Sequence, residues 1–544
     1  MNKTTKKIRV ENQPDISVST YHSIAEINES PVVTLPFTIL FIKPFQEARN
    51  NHYGPPLGIL TLIAGIRQHF GDTVTVHFWD MMLYNDKPEA LAERIDEFRP
   101  DIIGVSALNC EAAASFAIAA AAKVCAPKAI TVIGGPFTLR QADLIFGESL
   151  FDWVFEGAAD RSFLQALTRQ FSGQPLGDDI PGFSHRTASG EIVYNHKQDL
   201  ITDLDAIPLP AWDLLDFERY RKRDRKRMIT NVDERKYAYL FTSRGCPYLC
   251  NYCHDIFTKR FVYRSDENVL EEIRILYEDY GVTEFHIIDD IFNLHRPRAQ
   301  SIMRAIQARW PGKLFLAFPN GLRGDILDQE TIQAMADAGT YNASISIETV
   351  TPRLQVLAEK YLDIEKAKWA IEEFTRQGVV VHGALMLGFP SETEEEIEAT
   401  LSYAISSPLM HVHLFAVVPQ PQTPIYELAL QASAEATIRG AADERESGDY
   451  HSLTPWYTRA YGYDLRKKLS YTYVRFYLHP PRLLRMLRTY PLINLLHGGF
   501  FVLQGLMATA QMALLGLCRK MRLIDPPALS KQPKSLKVPD HSAP

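Results

Sequence analysis

SRGCPYLCNYCHD, Ser243–Asp255, is the stretch from which the fold of this chain can be worked out. Its Cys246, Cys250 and Cys253 stand in a C-x3-C-x2-C spacing, so three thiols share one short loop and can grip one metal centre. The loop follows AYLFTS, a run with strand character. Beyond it come EFHII, KLFLAF, NASISI, VVVHGAL and VHLFAVV, separated by helical runs such as ENVLEEIRILYEDYG and EKAKWAIEEFTRQG. Six strand-helix units over residues 237–430 predict a partial (β/α)6 barrel of the TIM kind, with its chemistry at the carboxyl ends of the strands. The thiols stand at the first such end.

A second alternation lies upstream. Between residues 36 and 171, TILFI, VTVHFW, DIIGVS, AITVIG and DWVFEG alternate with helical stretches such as EAAASFAIAAAAKV. That pattern predicts a five-stranded parallel sheet covered by helices, a Rossmann-like (flavodoxin-like) unit, so the chain is of the α/β class. Residues 172–236 have the turn residues and prolines of a linker. Residues 431–524 read as mostly helical, and 1–35 and 525–544 as disordered ends.

With 544 residues, 46% hydrophobic and 23% charged, the chain is several folding units long. A net charge of −7 from 58 basic and 65 acidic residues is too balanced for a general nucleic-acid binder. Six cysteines are too few for a disulfide scaffold, and the cluster of three points to a metal site in a reducing compartment. The start, MNKTTKKIRVENQPDIS, lacks the apolar run of a signal peptide, so the expected location is the cytoplasm. Charge is uneven, however: Leu465–Ile524 holds ten basic residues and no acid. Within it Thr489–Cys518 is 30 residues without a formal charge, interrupted by Pro491, Gly498 and Gly499. His497, Gln504 and Gln511 recur every seven residues along it, which predicts a helix lying in a membrane interface, with packing against the protein as the alternative.

Three readings of the thiols are open on spacing alone. A zinc knuckle needs a fourth ligand, and His254, adjacent to Cys253, is poorly placed to supply it. Inert buried thiols would not have such hydrophilic neighbours. The third reading is a resemblance: C-x3-C-x-aromatic-C after the first strand of a βα series resembles the radical S-adenosylmethionine (radical SAM) superfamily. This implies that Cys246, Cys250 and Cys253 hold three irons of a 4Fe-4S cluster, leaving the fourth iron open to S-adenosylmethionine. By the same resemblance Tyr252 lies near the adenine. Asp289 and Asp290, in FHIIDDIF, meet the amino group, to which a carboxylate is suited. Ser346 and Glu348, in NASISIETV, contact the ribose, and Gly388, in HGALMLGFPSET, permits close backbone approach. Without the resemblance, the paired aspartates could merely cap a helix, and Pro390 and Ser391 could start one.

The upstream unit lacks G-x-G-x-x-G after its first strand, which argues against a nicotinamide domain. Its segments YGPPLGILTLIAGIR, GVSALNCEAAASFAIAAAA, VIGGPFTLRQADLIFGE and FDWVFEGAAD resemble, in order and spacing, the cobalamin-binding domain that precedes the radical barrel in one subfamily. The resemblance implies that cobalamin lies along the carboxyl edge, over Ser106, Gly134, Gly135 and Gly157. D-x-H-x-x-G is absent, which leaves the lower cobalt ligand unassigned. An acid usual after the glycine is replaced by Ala158 and Ala159, with Asp160 next. The implied activity is reductive cleavage of S-adenosylmethionine to a 5′-deoxyadenosyl radical and methyl transfer to an unactivated carbon of a small-molecule or lipid-like substrate, with flavodoxin or ferredoxin as reductant. Radical cyclisation or rearrangement, as in the magnesium-protoporphyrin cyclase-like relatives, is the alternative. A non-catalytic corrinoid carrier would not need the cysteines. No catalytic acid or base is legible.

Overall fold

The computed structural model describes residues 36–45, 54–84, 86, 90–196, 200–223, 235–253, 256–417, 419, 423–432 and 465–490. In the N-terminal sheet β1 (Phe37–Lys43), β2 (Val74–Asp80), β3 (Ile102–Ser106), β4 (Ile130–Gly134) and β5 (Trp153–Phe155) run parallel in the order 2-1-3-4-5. β1, FTILFIK, is apolar for almost its whole length because helices cover both faces of the sheet. On one face Ile59, Ile63 and Ile66 of the helix Leu57–Phe70 pack with Phe163 and Leu167. On the other, Ile118, Ala119 and Ala122 of the helix Ala112–Cys125 pack with Ile145 and Phe146. The strand order reverses between β1 and β3, which opens a crevice at the carboxyl ends.

The linker assignment needs correction. β6 (Phe183–Arg186) and β7 (Ile192–Val193) extend the sheet antiparallel to β5 and make it seven-stranded. They are joined by a tight turn in which Gly190 donates to Thr187 O at 2.9 Å. Two strands this short carry too little alternation to outweigh their turn residues. Residues 204–220 of the segment form a strap. Ala211 N–H donates to Leu60 O at 3.1 Å, and the buried Trp212 donates its indole N–H to Glu272 at 3.0 Å, on the helix Asp266–Glu278. Tyr220 closes the strap by donating to the buried carboxylate of Asp80.

In the second series β8 (Tyr237–Leu240), β11 (Glu284–Ile287), β12 (Phe315–Leu322), β13 (Thr340–Glu348), β14 (Val380–Leu387) and β15 (His411–Ala416) form one parallel six-stranded sheet in that order. All six lie where the sequence places strands. β8 and β15 remain as edges, so the barrel is partial. β9 (Ser243–Arg244) and β10 (Val262–Tyr263) make a small antiparallel ribbon between the first two barrel strands. Gly54, before the helix Leu57–Phe70, packs on Tyr239 of β8 so tightly that a Cβ there would fall 2.2 Å from the ring.

Residues 466–490 belong to a compact unit of their own, with helices Leu465–Tyr477 and Pro480–Thr489. Arg482 is buried, its guanidinium 3.4 Å from the Phe476 ring. Leu478, Leu483, Leu484 and Leu487 are exposed. No helix among the described residues is long and apolar enough to cross a membrane. The uncharged run beyond Tyr490 lies outside the described residues.

Candidate functional site

The ribbon β9–β10 returns the chain on either side of the cysteine loop, and Gly245 is the pivot. Its φ is +82, and a Cβ would fall 2.1 Å from Arg260 O, so only glycine fits. Asp290 accepts the Gly245 N–H at 2.8 Å and so holds the start of the loop. Cys246, Cys250 and Cys253 are all free thiols, and Cys253 N–H turns back to Cys250 O at 3.1 Å. Burial raises the Cys246 thiol above its ordinary range, with Asp290 and Cys250 adding to the effect and Lys259 opposing it. A bound cation would reverse that shift, because metals take the thiolate. Among the described residues no three His, Cys, Asp or Glu side chains already converge on a metal-sized point. Three soft donors on one loop nonetheless fit an iron-sulfur cluster, which would itself draw them together.

Asp289 and Asp290 part company. Asp289 is fully buried and accepts Thr242 N–H, Thr242 Oγ1 and Ser243 Oγ, each at 2.6 Å. Its carboxyl is pushed up by burial, against the nearby Arg298 charge. Arg298 in turn donates to Thr242 O at 2.6 Å. The Asp289 carboxylate, expected toward a ligand amine, is engaged here by Thr242 and Ser243, just past β8. Asp290 is only half-buried and stands beside the cysteines.

Glu348 and the Gly388–Phe389 segment lie near Tyr252. Its ring meets Phe389 edge-on at 6.4 Å, and burial first, then the charge of Glu348, push its hydroxyl well above the ordinary range. Glu348 ends β13 after a bulge, with φ +64, and forms a buried ion pair with Lys360 at 2.7 Å. Gly388 has φ +86 and, with Phe389, donates its N–H to Glu392. Burial pushes that carboxyl up to about 8. Ser346 lies apart from these contacts, its hydroxyl over Gly321 of β12. Sequence reasoning missed Lys360, Arg298 and Glu392. Glu392 stands inside a quoted motif, whereas Lys360 and Arg298 meet their partners only through the fold.

On the N-terminal sheet, Ser106 and Gly134 are register partners at the ends of β3 and β4, and Gly157 follows β5 with φ +78. Gly135 has φ +91, and a Cβ there would lie 2.8 Å from Ala107 O and 2.9 Å from Ala107 N. With Ala158 and Ala159 these half-buried residues make a shelf of small side chains. Its rim is held from beneath by Glu156, which accepts Arg140 N–H at 2.8 Å and pairs with His196 at 2.6 Å. The shelf is tied to the cysteine loop: Asp160 pairs with both guanidinium nitrogens of Arg244, at 2.7 and 3.2 Å, two residues before Cys246.

The Radical SAM superfamily matches residues 240–404 and the B12 binding domain residues 48–167. The chain thus carries a B12-binding domain followed by a radical SAM domain. Similar to it is an uncharacterized methyltransferase of Pyrococcus horikoshii, 26% identical over 79% of this chain and 90% of the relative. Cytidylyl-2-hydroxyethylphosphonate methyltransferase of Streptomyces wedmorensis is 26% identical over 72% of this chain and 77% of its own. Anaerobic magnesium-protoporphyrin IX monomethyl ester cyclase of Rubrivivax gelatinosus is 26% identical over 67% and 65%. Among solved structures, the radical S-adenosylmethionine methyltransferase TsrM from Kitasatospora setae superposes with a TM-score of 0.60 at 19% identity, covering 73% of this chain and 77% of that one. The chain thus shares the two-domain fold.

Proposed function

We propose that this protein is a cobalamin-dependent radical SAM methyltransferase. The observation that carries the reading is the Asp160–Arg244 pair, which joins the shelf of the B12-binding domain to the loop of three free thiols. In this reading Cys246, Cys250 and Cys253 hold the cluster, and Tyr252, Asp290, Ser346, Glu348 and Gly388 line the S-adenosylmethionine site. Ser106, Gly134, Gly135 and Gly157 bed the cobalamin. When bound, these groups would supply a carbon-centred radical and a transferable methyl. The chain's own part is to orient: Lys360 fixes the Glu348 carboxylate, Glu392 fixes the Gly388 backbone, and Phe389 packs edge-on against Tyr252.

The test is anaerobic turnover with methyl-deuterated S-adenosylmethionine on extracts of a deletion strain. The expected outcome is one metabolite gaining the labelled methyl. The cyclase relative keeps a second reading in view, radical cyclisation. That reading takes over if 5′-deoxyadenosine accumulates and no metabolite gains label.

We further propose a cytoplasmic protein touching an anionic membrane through its C-terminal unit. The exposed Leu483, Leu484 and Leu487 share the helix Pro480–Thr489 with Arg485 and Arg488, ahead of the uncharged run. Flotation with anionic liposomes, wild type against a chain ending near Tyr461, checks it. Equal failure of both to float removes it.

A further inference from the structure

A barrel of this kind is ordinarily filled to its axis by layers of side chains. Here one row stays open. β14 is covered outside by the helices Ile364–Arg376 and Glu394–Ser406, and its outward Gly383 and Leu385 are buried. The residues that alternate with them, Ala384 and Met386, face inward and are only half-buried. So are the register partners of Ala384, which are Ser346 on β13 and His413 on β15, and so is Phe415 beside Met386. One row deeper, toward the amino ends, Ser344, His382 and His411 are buried and form a floor. The lumen therefore holds a chamber directly beneath Ser346, one of the residues assigned above to the S-adenosylmethionine site.

The wall of this chamber has a fixed hydrogen-bond direction. Asn342 donates its side-chain N–H to His382 Nε2 at 3.1 Å. Burial first, then His411 and His413, hold His382 well below the ordinary imidazole range, so it is neutral and carries one proton. With Nε2 accepting, that proton sits on Nδ1 and is donated to His413 Nε2 at 3.3 Å. His413 Nε2 accepts in turn, so the His413 proton is on Nδ1. One amide thus makes the half-exposed end of the chain a donor, which a ligand oxygen can meet. The acid of the lumen is engaged elsewhere: Glu284 on β11 accepts from Tyr341 at 2.7 Å, pairs with His286 at 2.6 Å and faces Arg235 at 3.8 Å.

We infer that this chamber takes the polar end of the substrate and that His413 binds an oxyanion there, a carboxylate or a phosphate, while an apolar body lies along Met386 and Phe415. The inference rests on the proposed function, since it names the substrate class of that reaction. An oxyanion offers lone pairs to the His413 N–H and makes a charge-assisted hydrogen bond with it. An ammonium group has only donors and would stand donor against donor. The register of β13, β14 and β15 sets the depth, because the floor of Ser344, His382 and His411 stops the ligand one row below His413.

The experiment is titration calorimetry of the full chain, reconstituted with iron, sulfide and hydroxocobalamin, against four probes of one length: hexanoate, hexyl phosphate, hexylamine and hexanol. At least one oxyanion should bind wild type, about tenfold or more tighter than the amine and the alcohol, and the better of the two names the headgroup. His413→Phe keeps a ring beside Phe415 but no donor, and should weaken the oxyanion by about tenfold. His413→Gln restores an N–H and should recover affinity to within about threefold of wild type. Ala384→Leu, which fills the chamber from the neighbouring strand, should abolish binding of every probe. Failure of both oxyanions to bind wild type, equal binding of hexylamine, or affinity indifferent to His413→Phe and Ala384→Leu overturns the inference. Wild type that takes up neither cluster nor corrinoid overturns the proposed function whatever the calorimetry shows, so the two failures are told apart.

Discussion

At the carboxyl edge of the N-terminal sheet the half-buried positions are Ser106, Gly134, Gly135, Gly157 and Ala158, whereas around the barrel mouth they include Asp290, Tyr252 and Ser346. The first edge is defined by side chains it does not have. The second is crowded with polar groups, most of which are already engaged: Asp289 by the end of β8, Glu348 by Lys360, Glu392 by two backbone N–H groups. A large flat ligand needs clearance, while a small charged one needs groups held at fixed positions, and the two edges differ accordingly.

The largest effect belongs to the barrel edge. Replacing Cys246, Cys250 or Cys253 by Ala should abolish iron loading and 5′-deoxyadenosine formation while leaving the fold and corrinoid uptake of the other edge intact. Iron analysis and absorbance after addition of hydroxocobalamin check both. Stoichiometric zinc in wild type, with no iron-sulfur absorbance, would break the comparison at its root.

Next comes pH. The Glu392 carboxyl is raised to about 8 in the fold, so from about pH 4.5 upward the folded protein keeps a proton that the unfolded chain releases. Stability contributed by this group therefore falls as pH rises through that window, by about 5 kcal/mol at most. Glu392→Gln cannot titrate yet can still accept from Gly388 and Phe389. Denaturant titrations between pH 5 and 9 should show a shallower pH dependence for the variant, and parallel curves would contradict the assignment.

Two neighbouring glycines sharpen the contrast within the shelf. A Cβ at Gly135 collides with Ala107 backbone, and its φ is positive, so Gly135→Ala should cost about 2–4 kcal/mol. At Gly134 the nearest atom would be 3.8 Å away, in ordinary contact, so Gly134→Ala should cost less than about 1 kcal/mol. Equal losses in thermal unfolding would mean that the shelf is not shaped as described.

The smallest effect is at the join. Asp160→Asn weakens a half-buried, two-pronged ion pair and should cost about 1–2 kcal/mol. Iron and corrinoid contents should not change, while the ratio of 5′-deoxyadenosine to methylated product should rise. An unchanged ratio would show that the two edges work independently of this link.

Much of this was legible in the sequence because it is local. Alternating strands, the cysteine spacing and the glycine after β4 depend on neighbours within a few residues, and all six barrel strands lie where the pattern places them. The misreadings come from distance. Asp289 looks identical to Asp290 until the end of β8 folds onto one of them. The hairpin β6–β7 looks like loop because its strands are four and two residues long and borrow their order from β5. Lys360 is an unremarkable surface lysine in sequence, and only the short helix Pro352–Leu357 after β13 brings it back to Glu348.

The strap Leu204–Phe217 bears on how such chains can be recombined. Its Ala211 belongs by hydrogen bond to the N-terminal helix, and its Trp212 belongs to a buried acid on the first barrel helix. A chimera that grafts this barrel onto another relative's B12-binding domain therefore has no neutral point of fusion between residues 204 and 217. A junction on the amino side leaves the Ala211 N–H without Leu60 O, and one on the carboxyl side leaves Glu272 with Arg264 alone. The connection is inherited as part of both domains, and they can be exchanged only as a pair.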